Sequence, residues 1–196
     1  MYLRPVFTET DPQRIRAMIR GHPFGVLVTS GDGLDASHLP FALREEGDGF
    51  VLSGHLAAAN AQCARLDGGE ALAVFSGPHA YVSPGWYEAQ PSVPTWDYVA
   101  VHVHGVLRPV RDDAHVAADL DAMLPDGEGF RVGALPDAYR ARMFSGIRAF
   151  TLTPTRVEAQ WKMSQNRSVA DRRNVAAGLR AEGMDEVATL VEATLP

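Results

Sequence analysis

The chain has 196 residues, 46% apolar and 21% charged, and its 18 Lys and Arg against 24 Asp and Glu give a net charge of −6. That length favours one domain, or one domain with a short appendage, and supplies a core that needs no disulfide or structural metal. The acidic balance lacks the broad positive field that a phosphate backbone demands, which argues against a dedicated nucleic-acid binder. A single cysteine, Cys63, excludes an internal disulfide framework and any all-cysteine metal site. The N-terminus carries no apolar leader and no stretch approaches the roughly 18 apolar residues of a membrane span, so a cytoplasmic protein is expected. The sequon Asn166-Arg167-Ser168 is therefore read as coincidence.

In chain order, Asp11 as cap, Pro12 in the first turn and the stripe Ile15, Met18 and Ile19 predict a helix ending near Gly21. Strand signals follow at Gly25–Ser30, Asp35–Leu43 and Gly49–Gly54, separated by the turns Gly31-Asp32-Gly33 and Glu46-Gly47-Asp48-Gly49. Pro40 marks an edge or a bulge. Leu56–Leu66 reads as a short helix with Leu56, Asn60, Cys63 and Leu66 on one side. Further strands are expected at Glu70–Ser76, His79–Ser83 and, after a proline-rich loop, Asp97–Val110. Asp112 and Asp113 open a helix carrying Val116, Leu120 and Leu124, and Gly127–Pro136 reads as a surface loop. A helix Asp137–Ser145, strands near Ile147–Thr153 and Thr155–Gln160, and two tail helices broken at Gly183 complete the reading. Strands outnumber crossover helices, which predicts a mainly β, α+β fold: an antiparallel barrel with peripheral helices. The expected division is a barrel domain over residues 1–160 and a C-terminal loop and helices over 161–196.

The run Thr95–Gly105 carries the most chemistry. Along a strand one side would present Val99, Val101, Val103 and Leu107, an apolar set suited to a core. The other would present Trp96, Tyr98, Ala100, His102 and His104, with the two imidazoles about 7 Å apart. This second side lines a cofactor cavity or a subunit interface, or is a wetted outer face. His102 and His104 also match a metal pair by count, though without a carboxylate ligand motif that is weak support for zinc. His55 falls where a strand gives way to the expected helix, a seat for a phosphate or propionate or simply a turn cap. Phe75–Tyr87 combines aromatics, His79, glycines and prolines, and either encloses a flat conjugated ring or packs as a structural loop. Residues 161–173 carry a net charge of +3, from Lys162, Arg167, Arg172 and Arg173 against Asp171. With Ser164, Gln165 and Asn166 they could hold an anionic group or form a solvated helix start. No dinucleotide fingerprint, phosphate-binding lysine loop or serine-nucleophile elbow is present.

Several stretches resemble the PaiB-type proteins, a family described as FMN-binding negative transcriptional regulators with a split β-barrel. They are Pro23-Phe24-Gly25, Ser37-His38-Leu39-Pro40, Gly54-His55-Leu56-Ala57, Phe75 through Pro84, Trp86-Tyr87, Val93-Pro94-Thr95-Trp96 and Lys162 through Arg167. The resemblance implies a homodimer with the cofactor at the subunit boundary. It implies cofactor contacts from His55, Asn60, His79, Trp96, His102, His104, Lys162, Ser164, Gln165, Asn166 and Arg167. The chain departs from the family pattern at Ala58, Ala61, Cys63, Asp97, His104, Gln160 and Met163. Missing cations at two of these positions and an added imidazole at His104 favour haem b over FMN.

Some PaiB-like proteins are haem enzymes, and the departures make the chain resemble the piperazate synthases, which close a six-membered ring by forming an N–N bond in N5-hydroxyornithine. That similarity implies an axial ligand from His55, His102 or His104. It also implies catalytic roles for Asp97, Lys162 and His104, with an amino acid as substrate. The alternatives it leaves are an FMN-binding PaiB-type repressor whose tail helices touch DNA, and a flavin reductase on the same fold.

Overall fold

The computed structural model describes residues 1–31, 33–125 and 127–196, so the centre of the expected Gly31-Asp32-Gly33 turn lies outside the described residues. Helix α1 (Pro12–Gly21) starts as its sequence dictates: the Asp11 carboxylate accepts from the Gln13 amide at 2.8 Å, and Ile15, Met18 and Ile19 are buried. Seven strands follow: β1 (Phe24–Ser30), β2 (Leu34–Pro40), β3 (Ala42–Glu46), β4 (Gly49–Ala57), β5 (Glu70–Val82), β6 (Thr95–Val110) and β7 (Ile147–Lys162). They form one sheet in the order β2-β1-β5-β6-β7-β4-β3. Helices α2 (Asp113–Asp121), α3 (Asp137–Ser145), α4 (Val169–Ala181) and α5 (Asp185–Glu192) complete the described elements, with Gly183 at φ 75° breaking the tail as expected. The class is mainly β with peripheral helices, and β1–β2, β1–β5, β3–β4 and β4–β7 pair antiparallel.

Four expected elements differ, the first being the strands expected near Ile147–Thr153 and Thr155–Gln160, which run on as the single strand β7. The strand Asp35–Leu43 is two strands, because Pro40 has no amide to donate and β2 stops there. The two strands expected between Glu70 and Ser83 are one: the buried set moves from Ala71, Ala73, Phe75 and Gly77 to Ala80 and Val82, so the slip at Pro78-His79 shifts the phase without ending the strand. The helix expected at Leu56–Leu66 is absent. Leu56 and Ala57 still pair with Arg148 and Ile147 of β7, and only the tight turn Ala61–Arg65 is helical. Gln62 in that turn is 2% exposed, with its side-chain amide donating to the Leu27 and Asp35 carbonyls and to Thr29 Oγ1.

The chain forms two compact units. Unit one comprises Met1–Ile15, Ser76–Val101 and Glu158–Pro196; unit two comprises Arg16–Phe75 and His102–Val157. Unit one buries Phe7, Val82, Val99, Val101 and Met163, together with Val175, Leu179, Val187 and Val191 of the tail helices. Unit two buries Leu27, Leu52, Leu107 and Leu152 around Phe41, whose ring meets Phe75 edge-on at 5.2 Å and Phe150 at 6.4 Å. β6 keeps the predicted alternation: Val99, Val101, Val103 and Leu107 are buried, and Tyr98, Ala100, His102 and His104 are half-buried.

Gly105 stands where a side chain has no room, since a Cβ there would strike the Thr153 carbonyl oxygen and Leu152 Cδ2. Gly105→Ala should therefore lower stability by about 1–3 kcal/mol, read as a reduced urea midpoint. Gly133→Ala, which meets nothing within 4 Å, serves as the control and should leave the midpoint nearly unchanged.

Candidate functional site

In unit one the opening of β6 places Asp97 on the side of Val99 and Val101, so its carboxylate has 0% exposure, while Trp96 on the other side is 55% exposed. A buried carboxylate needs donors or a counter-charge. Ser164 Oγ donates to Asp97 Oδ2 at 2.7 Å, and Lys162 Nζ stands 3.6 Å from Oδ1, which accepts no hydrogen bond. Lys162 also donates to Thr95 Oγ1 at 2.6 Å and to the Trp96 carbonyl. Ser164 makes its contact from φ 57°, a left-handed backbone that costs a non-glycine residue roughly 1–2 kcal/mol.

Burial pushes the Asp97 carboxyl up, against the pull of Ser164 and Lys162. Burial pushes the Lys162 ammonium down, against the pull of Asp97. Both partners are thus driven toward their neutral forms, the condition in which one proton is readily shared or passed on. Tyr87 is buried in the same unit, with the Arg167 guanidinium 4.0 Å from its ring centroid. Burial raises its phenol, with the Asp97 charge acting in the same direction, against the lowering effects of Arg167 and Ser164.

The rest of the basic segment closes on itself. Gln165 accepts from the Met163 amide at 2.7 Å and donates to the Trp161 carbonyl at 2.5 Å. Ser168 caps α4 by accepting from the Asp171 amide at 3.0 Å, and Asn166 is exposed beside that turn. His79 and Tyr81 meet the Trp96 ring at 6.3 and 6.0 Å, forming an exposed aromatic group.

Unit two holds the other candidates. His55 does not stand at a helix start, because β4 continues past it to Ala57. It lies on the same side of β4 as Ser53, and both His55 Nδ1 and Ser53 Oγ are buried with no hydrogen-bond partner among the described residues. Burial lowers the His55 pKa, so the ring is held toward the neutral form a metal ligand requires. Its register partner Ala149 lines a cleft of about 250 Å³ with Val116, Phe144, Arg111 and Arg148. Asn60 is engaged locally, accepting from the Gln62 amide at 2.9 Å and donating to Ser37 Oγ at 2.9 Å. His102 is half-buried, and His104 lines a second cleft of about 460 Å³ with Glu70, Leu72, Thr155 and Arg156.

Unit one thus gathers Asp97, Lys162 and Ser164, whereas His55, Asn60, His102 and His104 belong to unit two. Sequence reading overlooked Thr95 and Tyr87 as parts of the polar cluster. The only available signal was their place in the Val93-Pro94-Thr95-Trp96 and Trp86-Tyr87 stretches.

A model of the family described as "Putative FMN-binding domain" matches residues 1–156. "Protease synthase and sporulation protein PAI 2" of Bacillus subtilis (strain 168) is 33% identical over 189 residues, which cover 93% of this chain and 90% of that protein. The structure of the FAD and heme binding protein from Mycobacterium smegmatis matches with a TM-score of 0.60 at 17% identity, over 79% of this chain and 73% of the other. That of the flavocytochrome Anf3 from Azotobacter vinelandii matches with a TM-score of 0.60 at 14% identity, over 82% and 72%. The shared fold is the split β-barrel.

A raised carboxyl pKa in the folded state means that the native protein holds the Asp97 proton more tightly than the unfolded chain does. The resulting stability is complete below the ordinary aspartate range and is lost as pH rises through the raised native value. Asp97→Asn should remove this dependence. In urea titrations across that range, wild-type stability should fall relative to the variant as pH rises; a constant difference would contradict the assignment.

Proposed function

The chain belongs to the FMN-binding family whose model it matches, and from that membership we propose that it is a haem-dependent biosynthetic enzyme. Its reaction is the intramolecular closure of N5-hydroxyornithine through an N–N bond, carried out by a homodimer. The observation that carries this reading is His55: its imidazole is biased toward the neutral form and its Nδ1 makes no hydrogen bond among the described residues, so it is the side chain that would hold the haem iron. The structural relatives named above include a FAD and heme binding protein, which supports a cofactor that is either haem or flavin.

The chain's cations fit a flavin phosphate less well. Lys162 is engaged by Thr95, Trp96 and Asp97, and Arg167 lies on the Tyr87 ring. FMN is the second reading, favoured by the family's own description and by the exposed Trp96 ring. The half-buried side of β6, with His104 at its cleft, supports a second copy of the chain as the partner.

When bound, haem supplies a Lewis-acidic iron that weakens the N–O bond of the hydroxylamine. The reaction is redox-neutral overall: the N–O bond breaks, the α-amine nitrogen bonds to N5, and the oxygen leaves as water. The α-ammonium must lose a proton and the departing hydroxyl must gain one. Asp97 and Lys162 of unit one, each biased toward neutrality, are a pair suited to taking up and giving back a proton. Ser164 is a positioning residue, fixing the Asp97 carboxylate by its 2.7 Å hydrogen bond.

The purified or reconstituted protein should show a Soret band that His55→Ala abolishes with the circular dichroism unchanged. Lys162→Met should keep the band and lose about 10²–10⁴-fold in turnover of N5-hydroxyornithine. A flavin spectrum would select the FMN reading, and a Soret band without turnover by the wild type would overturn the cyclase assignment.

A further inference from the structure

Unit two carries a second polar cleft that neither the cofactor reading nor the acid–base pair uses. Its volume is about 340 Å³, within the usual range of about 300–1,000 Å³ for small-molecule sites. One wall comes from β3, where Arg44 pairs in register with Val51 of β4. The opposite wall is the entry to α2, where Asp112 caps the helix by accepting from the His115 amide at 2.8 Å. Thr151 and Thr153 of β7 line the cleft between them.

Arg44 is held from behind. Its Nη1 lies 3.2 Å from Asp119 Oδ1 and 2.9 Å from His115 Nε2; among the described residues, both contacts use this one nitrogen. Asp119 is 7% exposed, and its second oxygen lies 3.4 Å from His115 Nε2. A guanidinium anchored in this way by a buried carboxylate is oriented before any ligand arrives, which reduces the entropy lost on binding. Arg111 supplies a second cation, while Glu46 and Asp112 supply carboxylates on the same lining.

The two signs of charge select the ligand class. A phosphate would be drawn to Arg44 and Arg111 but repelled by Glu46 and Asp112; a metal cation would meet the reverse. A dipolar ligand of zero net charge satisfies both sets. We propose that this cleft binds a small zwitterionic amino acid, its carboxylate on the guanidiniums of Arg44 and Arg111 and its ammonium on the carboxylates of Glu46 and Asp112. Guanidinium–carboxylate pairing is bidentate and geometrically specific, and the threonine hydroxyls can complete the remaining hydrogen bonds. The site needs no haem, so it stands apart from the cofactor reading.

The test titrates the cofactor-free full chain with L-alanine, whose net charge is zero, and follows the arginine Nε–H resonances by NMR. L-alanine should give saturable shifts at Arg44 and Arg111, while acetate, methylammonium and inorganic phosphate should not. Arg111→Gln, at an exposed position, and Glu46→Gln should each weaken the response at least tenfold while leaving the amide spectrum otherwise intact. Absence of saturable shifts, an equal response to acetate or phosphate, or an unchanged response in both variants would overturn the proposal.

Discussion

The two-residue period of β6 is the constraint from which the rest follows. A strand of 16 residues turns alternate side chains to opposite sides, and here one side is aliphatic and buried while the other carries rings and stays half-open. Asp97 is the exception that the period forces: it shares the phase of Val99 and Val101 and is enclosed with them. An isolated carboxylate in that position would cost several kcal/mol, and the surrounding residues act to offset it. Lys162 supplies the counter-charge, Ser164 supplies a donor from a strained backbone, and one carboxylate oxygen still lacks a hydrogen bond.

The same reasoning separates the two kinds of polar group in the chain. The residues following Trp161 present cations and amides in sequence, but their side chains largely close the turn into α4 or stack on Tyr87. They shape the loop around Asp97 more than they offer an anion cradle. His55 is the opposite case: an ordinary strand residue whose ring nitrogen is buried without any hydrogen-bond partner among the described residues. A polar atom left unsatisfied in a well-packed unit is where an additional group would be held, and a neutral imidazole limits that group to a hydrogen-bonding partner or a metal.

How much of this was legible in the sequence depended on how local the determining signal was. The cap at Asp11, the break at Gly183 and the span Asp137–Ser145 were readable because turn and cap chemistry act over a few residues. The alternation of β6 was equally readable, since burial follows parity. Leu56–Leu66 misled because its apolar spacing suits a helix, whereas the pairing of Leu56 and Ala57 with β7 depends on residues some ninety positions later. The roles of Gln62 and Asn60 were hidden for a related reason: each amide side chain reaches groups of β1 or β2 that only the folded chain brings close. The Asp97–Lys162 contact likewise joins two strands that no sequence spacing connects.

The central claim is that His55 is the side chain that holds iron. Resonance Raman spectroscopy of the ferrous haem-loaded protein addresses it directly through the iron–imidazole stretching band. The account predicts this band in the wild type, its loss in His55→Gly, and its return when free imidazole is added to that variant. A band that persists in His55→Gly, or that disappears only when His102 or His104 is replaced, would contradict it.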